Sequence, residues 1–137
     1  MEKTIKIGNK SFNMSSSAYT QFKYKNDTGR SLMQDIADFQ VKYKDLLNGN
    51  LDVSLDQIED IVETLLRIAY IMTNECDKNQ ATNFDEFLKK IDNYFSSIDW
   101  FNEVVELATS PFHRGNIQEN QEQEQQASWW VWNISVS

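Results

Sequence analysis

The residues that could carry catalytic or metal chemistry are few in this chain of 137 residues. His113 is the only histidine and Cys76 the only cysteine, so we expect no histidine-based triad, no zinc site and no intrachain disulfide. The acidic pairs at 59–60 and 85–86 lie near the starts of predicted helices, where carboxylates interact favourably with the helix dipole. No glycine-containing turn has the spacing of a phosphate-binding loop. The sequence therefore predicts a protein that is not an enzyme and that binds no metal and no cofactor.

A stretch of interleaved aromatic and basic residues, "FKYKNDTGR" at 22–30, has two interpretations. An exposed aromatic platform among lysines is typical of a surface that binds RNA. A helix that buries its aromatic side and exposes its lysines gives the same pattern, and we favour this second interpretation. The net charge of −8 also disfavours nucleic acid as the main ligand.

The C-terminal segment is unusually rich in tryptophan and reads "SWWVWNISVS". Its large apolar side chains alternate with other residues, which predicts a β-strand. The polar, Gln/Glu-rich run before it predicts a flexible linker at 112–128, with an interaction strand at 129–137. Three outcomes are open for this strand. It adds to a sheet edge of a partner or neighbouring subunit, it folds back onto the chain's own sheet, or it stays unstructured.

The N-terminal residues predict the sheet of the domain that carries these segments. Ile5 and Ile7 alternate with polar residues, Gly8–Asn9 forms a two-residue turn, and Phe12 and Met14 alternate on the return strand. Two strands alone are only marginally stable in water. The predicted hairpin must therefore pack against helices.

The rest of the domain is predicted as four or five helices. Three serines at 15–17 offer an N-cap for the first helix and Gly29 is its candidate stop, while "NGN" at 48–50 ends the second. Ser54 with Gln57 and Asn83 with Glu86 are capping patterns for the next two helices, and Pro111 closes the last. The apolar stripe over 58–72 is too wide for a helix with one solvent-exposed side, so we expect this helix at the centre of the domain. The other expected apolar positions are Tyr19, Phe22, Leu32, Ile36, Phe39, Tyr43, Leu46, Phe84, Phe87, Leu88, Ile91, Ile98, Phe101, Val104, Val105 and Ala108.

These elements together predict a mainly α fold of the α+β class. An N-terminal β-hairpin packs on a four-to-five-helix domain at 1–111, and a flexible C-terminal tail ends in a β-strand. No apolar run approaches the ~18–20 residues that span a bilayer, and no signal segment opens the chain. We therefore expect a cytoplasmic protein that does not contact a membrane.

Charge is distributed unevenly along the chain. Residues 1–44 carry eight basic and four acidic side chains, a net charge of +4, and the remaining 93 residues carry a net charge of −12. This asymmetry is either solvated surface charge without a further role, or it supports head-to-tail self-association. In the second case the basic part of one subunit contacts the acidic part of the next.

Four stretches resemble the tail assembly chaperones of long-tailed phages and prophages of Gram-positive bacteria. They occur in the family's order over about residues 1–110: "TIKIGNKSFNM", "FKYKNDTGRSLMQDI", "LLRIAYIMTNECDKN" and "FDEFLKKID". The resemblance implies a protein that binds the tape measure protein, keeps it soluble, self-associates and is absent from the mature virion. It also implies that a longer, frameshifted form contacts the tail tube protein. Such a protein works in the host cell cytoplasm.

The expected contact residues lie in the second stretch and in the tail. They are Tyr24, Lys25, Arg30, Trp129, Trp130, Trp132 and Ile134. An alternative function comes from the acidic composition alone. In that case the chain is a small prophage-encoded regulatory protein that inhibits a host protein by binding its basic surface.

Overall fold

A computed structural model describes residues 1–47, 55–81 and 83–112. Two antiparallel strands are followed by five α-helices and one turn of 3-10 helix, which confirms the predicted mainly α, hairpin-plus-helices fold for these residues. The elements are β1 (Glu2–Ile7), β2 (Lys10–Ser15), α1 (Ala18–Thr28), α2 (Leu32–Leu47), α3 (Leu55–Cys76), α4 (Phe84–Lys89), α5 (Asp99–Thr109) and the 3-10 turn Ser110–Phe112.

The hairpin has the predicted register and buries the predicted face. Ile5 lies opposite Phe12, and Ile7 lies opposite Lys10 across the two-residue turn. Gly8 has a φ of +63°, which glycine adopts at little cost. The alternating apolar side chains pack onto the helices, and all four are buried: Ile5, Ile7, Phe12 and Met14.

The hairpin turn is held against the loop that follows α4. The Asn9 backbone N–H donates to the Asp92 carbonyl at 3.2 Å, and the Asp92 N–H donates to Asn9 Oδ1 at 3.1 Å. The contact is so close that a Cβ on Gly8 would lie 1.9 Å from the Asp92 carbonyl oxygen. Residue 8 must therefore be glycine for two reasons, its φ and the space around it.

The ends of α1 lie where the sequence predicts them. The Ser17 side chain accepts from the Tyr19 backbone N–H, and Thr20 Oγ1 accepts in return from the Ser17 N–H, which completes a capping box. Gly29 follows the helix with a φ of +74°, and its N–H donates to the Lys25 carbonyl at 2.8 Å. The predicted Asn83 cap of α4 is also present, since its side chain accepts from the Glu86 N–H.

Helix α3 is the centre of the domain, as predicted. It contacts β2 and all four other helices. Its apolar stripe is buried along its length, whereas the first two turns expose acidic residues to solvent. The buried residues of α3 are Ile61, Val62, Leu65, Leu66, Ile68, Ala69, Ile71, Met72 and Thr73.

Four predictions about buried positions need correction. Leu88 was expected on the apolar side of α4 but is 37% exposed. Tyr19 and Phe22 were expected on the apolar side of α1 but are 54% and 68% exposed, because the side of α1 that faces the core carries Thr20 and Tyr24 instead. Trp100, which the helical stripe did not include, is 1% exposed, and its Nε1 donates to the Tyr94 carbonyl at 2.8 Å. Phe112, assigned to the linker, packs against the core, so the domain reaches at least residue 112.

Other predictions lie outside the described residues. They concern the Ser54 capping box, the helix stop at 48–50, His113, the rest of the 112–128 linker and the strand at 129–137.

Candidate partner-binding site

Tyr24, Asp35 and Arg30 form a hydrogen-bonded cluster where α1 meets α2. Arg30 binds the Asp35 carboxylate with two nitrogens, Nη2 to Oδ1 at 2.8 Å and Nε to Oδ2 at 2.9 Å. The Tyr24 hydroxyl donates to the same Oδ2 atom. Asp35 is only 5% exposed, so these donors replace the water that its charge would otherwise need.

The cluster fixes the protonation states of its acidic members. Burial raises the pKa of Asp35, but hydrogen bonds from Arg30 and Tyr24 and the charges of Arg30 and Lys42 outweigh it, so the pKa lies below its ordinary 3.8. Burial, followed by the hydrogen bond and charge of Asp35, raises the pKa of Tyr24. At neutral pH the cluster therefore contains a carboxylate, a neutral phenol and a guanidinium.

This geometry changes the role assigned to Tyr24. With 2% of its surface exposed, the Tyr24 ring cannot provide a contact area for a partner. It positions Asp35, which in turn orients Arg30. Lys25 is exposed, and the Arg30 side chain is 63% exposed, so these two candidates remain accessible.

The exposed Arg30 side chain lies between two shallow clefts that also contain acidic residues. One, of about 220 Å³, includes Asp38, Asp60 and Glu63, and the other, of about 270 Å³, includes Asp27 and Glu63. These carboxylates would repel an anionic ligand at Arg30. The surroundings of Arg30 therefore fit a mixed-charge protein surface better than a phosphate.

A larger cleft lies between α1 and α3, nearer the start of α1. The two helices run antiparallel, because Ser17 and Thr20 of α1 hydrogen-bond Glu75 near the end of α3, while Thr28 lies beside Glu63. We call this cleft the α1–α3 groove; its volume is about 590 Å³. It is lined by Tyr19, Lys23, Asp27, Tyr70, Ile71, Asn74, Glu75, Lys78 and Ala81.

The residues that line the groove are spaced four apart along α1 and along α3. Tyr19, Lys23 and Asp27 are spaced four residues apart and form one ridge of α1, about 12 Å long, with Lys23 and Asp27 paired at 3.0 Å. Residues four apart on α3 form the opposite wall. Two parallel ridges with a groove between them are the arrangement into which a third helix packs.

Exposed aromatic side chains lie on this part of α1. Phe22 is 68% exposed and Tyr19 is 54% exposed, and Tyr70 lines the opposite wall. The stretch at 22–30 therefore follows neither interpretation completely, since Phe22 is exposed and Tyr24 is buried. Sequence periodicity did not single out Phe22 as a surface residue, because both Phe22 and Tyr24 are aromatic and their burial depends on where α2 and α3 pack against α1.

Cys76 ends α3 and is partly buried. Burial raises the pKa of its thiol, and the charges of Glu2, Asp77 and Glu75 raise it further. The thiol is therefore protonated at neutral pH and is a poor nucleophile.

Two further features concern the described residues as a whole. Within 1–47, 55–81 and 83–112, histidine, cysteine and acidic side chains form no group of three that could hold a metal ion. None of the helices in these ranges is long and apolar enough to cross a bilayer. The expected contact residues Trp129, Trp130, Trp132 and Ile134 lie outside them.

Comparisons of the chain with protein-family models, with curated proteins and with solved structures found no match.

Proposed function

We propose that this protein is a phage tail assembly chaperone that binds helical segments of the tape measure protein. The observation that carries the proposal is the exposure of Tyr19, which lines the α1–α3 groove, and of Phe22, about one turn further along α1. Aromatic side chains at such positions commonly anchor protein interfaces, because each buries a large area at little cost in side-chain entropy. The four stretches that resemble the family supply the identity of the partner.

The shape and charge of the groove support a helical client. Its α1 ridge covers two helical turns, so a client helix can place apolar residues at positions i, i+3 or i+4, and i+7 along it. Its rim carries Lys23 and Lys78 beside Asp27 and Glu75. Both signs of charge on the rim favour a polar, mixed-charge client over a nucleic acid or a uniformly charged surface.

The proposal also states where the protein acts and at which stage of tail assembly. The protein acts in the host cell cytoplasm, self-associates along the tape measure protein before the tail tube forms, and is absent from the finished virion. A longer, frameshifted form would bring the tail tube protein to the same complex.

The test measures binding of purified helical segments of the tape measure protein to the full chain by isothermal titration calorimetry. Replacing both aromatic residues, Tyr19→Ser with Phe22→Ser, should weaken binding by about 30-fold or more, the effect of losing a strong interface anchor. Val41→Ser is the matched control, because Val41 is an equally exposed apolar residue on α2, at 59%. It should leave the affinity unchanged.

Two results would contradict the proposal. One is a wild-type chain that binds no segment of the tape measure protein. The other is a Tyr19/Phe22 double variant that binds as tightly as the Val41 control. Tight binding to a basic host protein instead would favour the inhibitor alternative.

A further inference from the structure

The hydrogen-bond register of the hairpin shows which backbone groups point away from it. Met1 and Ser16 exchange two backbone hydrogen bonds, of 3.1 and 2.8 Å, so they are a hydrogen-bonded pair. Such pairs alternate along an antiparallel ladder. The backbone N–H and C=O groups that point outward therefore belong to Glu2, Thr4 and Lys6 on β1 and to Ser11, Asn13 and Ser15 on β2.

The β2 edge is covered at its centre by Gln80. The Asn13 N–H donates to Gln80 Oε1 at 2.9 Å, and Gln80 Nε2 donates to the Asn13 carbonyl at 2.8 Å. The same Nε2 donates to the Thr73 carbonyl at 3.2 Å, which anchors the amide to α3. One side chain thus makes the two bonds that a neighbouring strand would make, and it blocks strand addition at this edge.

The β1 edge has no such cover within the described residues. The outward backbone groups of Glu2, Thr4 and Lys6 have no hydrogen-bond partner there. On the outer face of the hairpin their side chains are polar and exposed, whereas the inner face of β1 is apolar and buried at Ile5 and Ile7 and carries the exposed Lys3 at its start. The edge therefore offers a row of backbone donors and acceptors next to an apolar layer.

We infer that residues 129–136 of the same chain pair with β1 as the third strand of this sheet. Their alternation places Trp130, Trp132, Ile134 and Val136 on one side and Trp129, Val131, Asn133 and Ser135 on the other. With Trp130 and Trp132 inward, the strand continues the apolar face of Ile5 and Ile7. Its more polar side then continues the exposed face that holds Thr4 and Asn13.

The path of the chain favours pairing within one molecule. The hairpin turn contacts Asp92, before α5, and Lys3 pairs with Glu103 at 3.4 Å, so α5 runs antiparallel to β1 and ends beyond its first residues. Only 16 residues, 113–128, separate the described domain from the strand. A linker of this length has a root-mean-square reach of about 20–24 Å. It holds the strand at an effective concentration on the order of millimolar, which a second copy would have to match.

The experiment is amide hydrogen exchange, followed by NMR on the full chain. In the wild type, the Thr4 and Lys6 amides should exchange about tenfold or more slowly than the Ser11 amide, which points outward at the other edge. The Ile5 amide, which lies in the β1–β2 ladder, reports on the hairpin itself. Equal rates at Thr4, Lys6 and Ser11 in the wild type would overturn the inference.

Variants in the full chain test which residues hold the strand. Trp130→Ser with Trp132→Ser should remove the protection of Thr4 and Lys6 and leave Ile5 protected. Asn133→Ala with Ser135→Ala, the matched control on the other side, should retain it. Equal losses from the two double variants would contradict a strand with its tryptophans inward.

Measuring the protection at several protein concentrations distinguishes pairing within one chain from pairing between two subunits. Protection that does not change with concentration supports pairing within one chain. Protection that increases with concentration would assign the strand to a neighbouring subunit and overturn the inference. The proposed client binding uses the α1–α3 groove, so either idea can fail without the other.

Discussion

At the scale of single residues, Asp35 is a buried carboxylate that orients an exposed cation, Arg30. Its carboxylate is almost inaccessible, but the Arg30 guanidinium that it holds is mostly exposed. A buried carboxylate without partners would take up a proton, whereas this one is ionised because three donor groups contact it. The conformation of Arg30 therefore depends on Tyr24 and Asp35, neither of which is accessible to a partner.

The stability that Asp35 contributes should depend on pH in a direction set by its lowered pKa. The unfolded chain binds a proton to this group more readily than the folded chain, so the contribution is present above pH 3.8 and is lost as pH falls through the folded pKa. Asp35→Asn should cost about 1–3 kcal/mol of the free energy of unfolding at pH 7. Below pH 3.8 the difference between the two proteins should narrow.

Urea unfolding at pH 7 and at pH 3 measures this difference. Other carboxylates titrate in both proteins, so the comparison isolates residue 35. A difference in the free energy of unfolding between the two proteins that stayed the same at both pH values would show that Asp35 does not stabilise the fold through its charge.

At the scale of elements, the contact between the hairpin turn and the loop after α4 sets the position of the sheet. Within the described residues two glycines have positive φ, Gly8 and Gly29, and their surroundings differ. A Cβ at position 8 would lie 1.9 Å from the Asp92 carbonyl oxygen, whereas a Cβ at position 29 would meet nothing within 4 Å. Only the first position combines a restricted φ with a close approach of two backbones.

Gly29→Ala should therefore cost about 1–2 kcal/mol, the penalty for a left-handed conformation alone. Gly8→Ala should cost clearly more, because the turn must also move away from Asp92 and its two hydrogen bonds must break. Thermal or urea unfolding of the two variants gives the comparison. Equal losses of stability would mean that the turn does not depend on its contact with Asp92.

The same elements show what the sequence could predict. The Ser17 and Asn83 caps and the Gly8 turn were predictable, because each depends on residues within a few positions along the chain. The exposure of Phe22 was not, since it depends on where α3 packs against α1. The role of Gln80 was not predictable either, because the residue it binds, Asn13, is 67 positions away and no local pattern distinguishes this glutamine from others.

At the scale of the whole molecule, the charge asymmetry of the sequence has a spatial counterpart. The exposed lysines Lys6 and Lys10 lie on the hairpin, which packs beside the C-terminal half of α3 through Gln80 and Thr73. The exposed acidic residues of α3 lie in its N-terminal half: Asp56, Glu59, Asp60 and Glu63. Lys6 and Lys10 thus lie near one end of α3 and these four carboxylates near the other, where Arg30 is also exposed. Head-to-tail contact between the two ends would bring these opposite charges together.

If subunits associate through these ends, the association should weaken with salt. Oligomers present at low ionic strength should dissociate near 0.5 M salt, where the Debye length is about 4 Å. Lys6→Glu with Lys10→Glu should have the same effect at low salt, whereas Glu86→Lys, an exposed reversal on α4, should not. Sedimentation velocity gives the measurement. Oligomers that resist both salt and charge reversal would indicate an apolar interface.

The attachment of the hairpin to late parts of the chain has a consequence for biosynthesis. Both strands are complete by Ser15, but the Asp92 amide that binds the turn lies 83 residues further along than Asn9, and Glu103, the partner of Lys3, comes later still. During synthesis β2 can pack against α3 once that helix has emerged, whereas β1 is not covered until α5, which follows later in the chain, has been made. Closing so long a loop also slows folding, since its entropic cost precedes the contacts that offset it. Although β1 precedes every helix in the chain, it is therefore among the last elements to be packed into the domain.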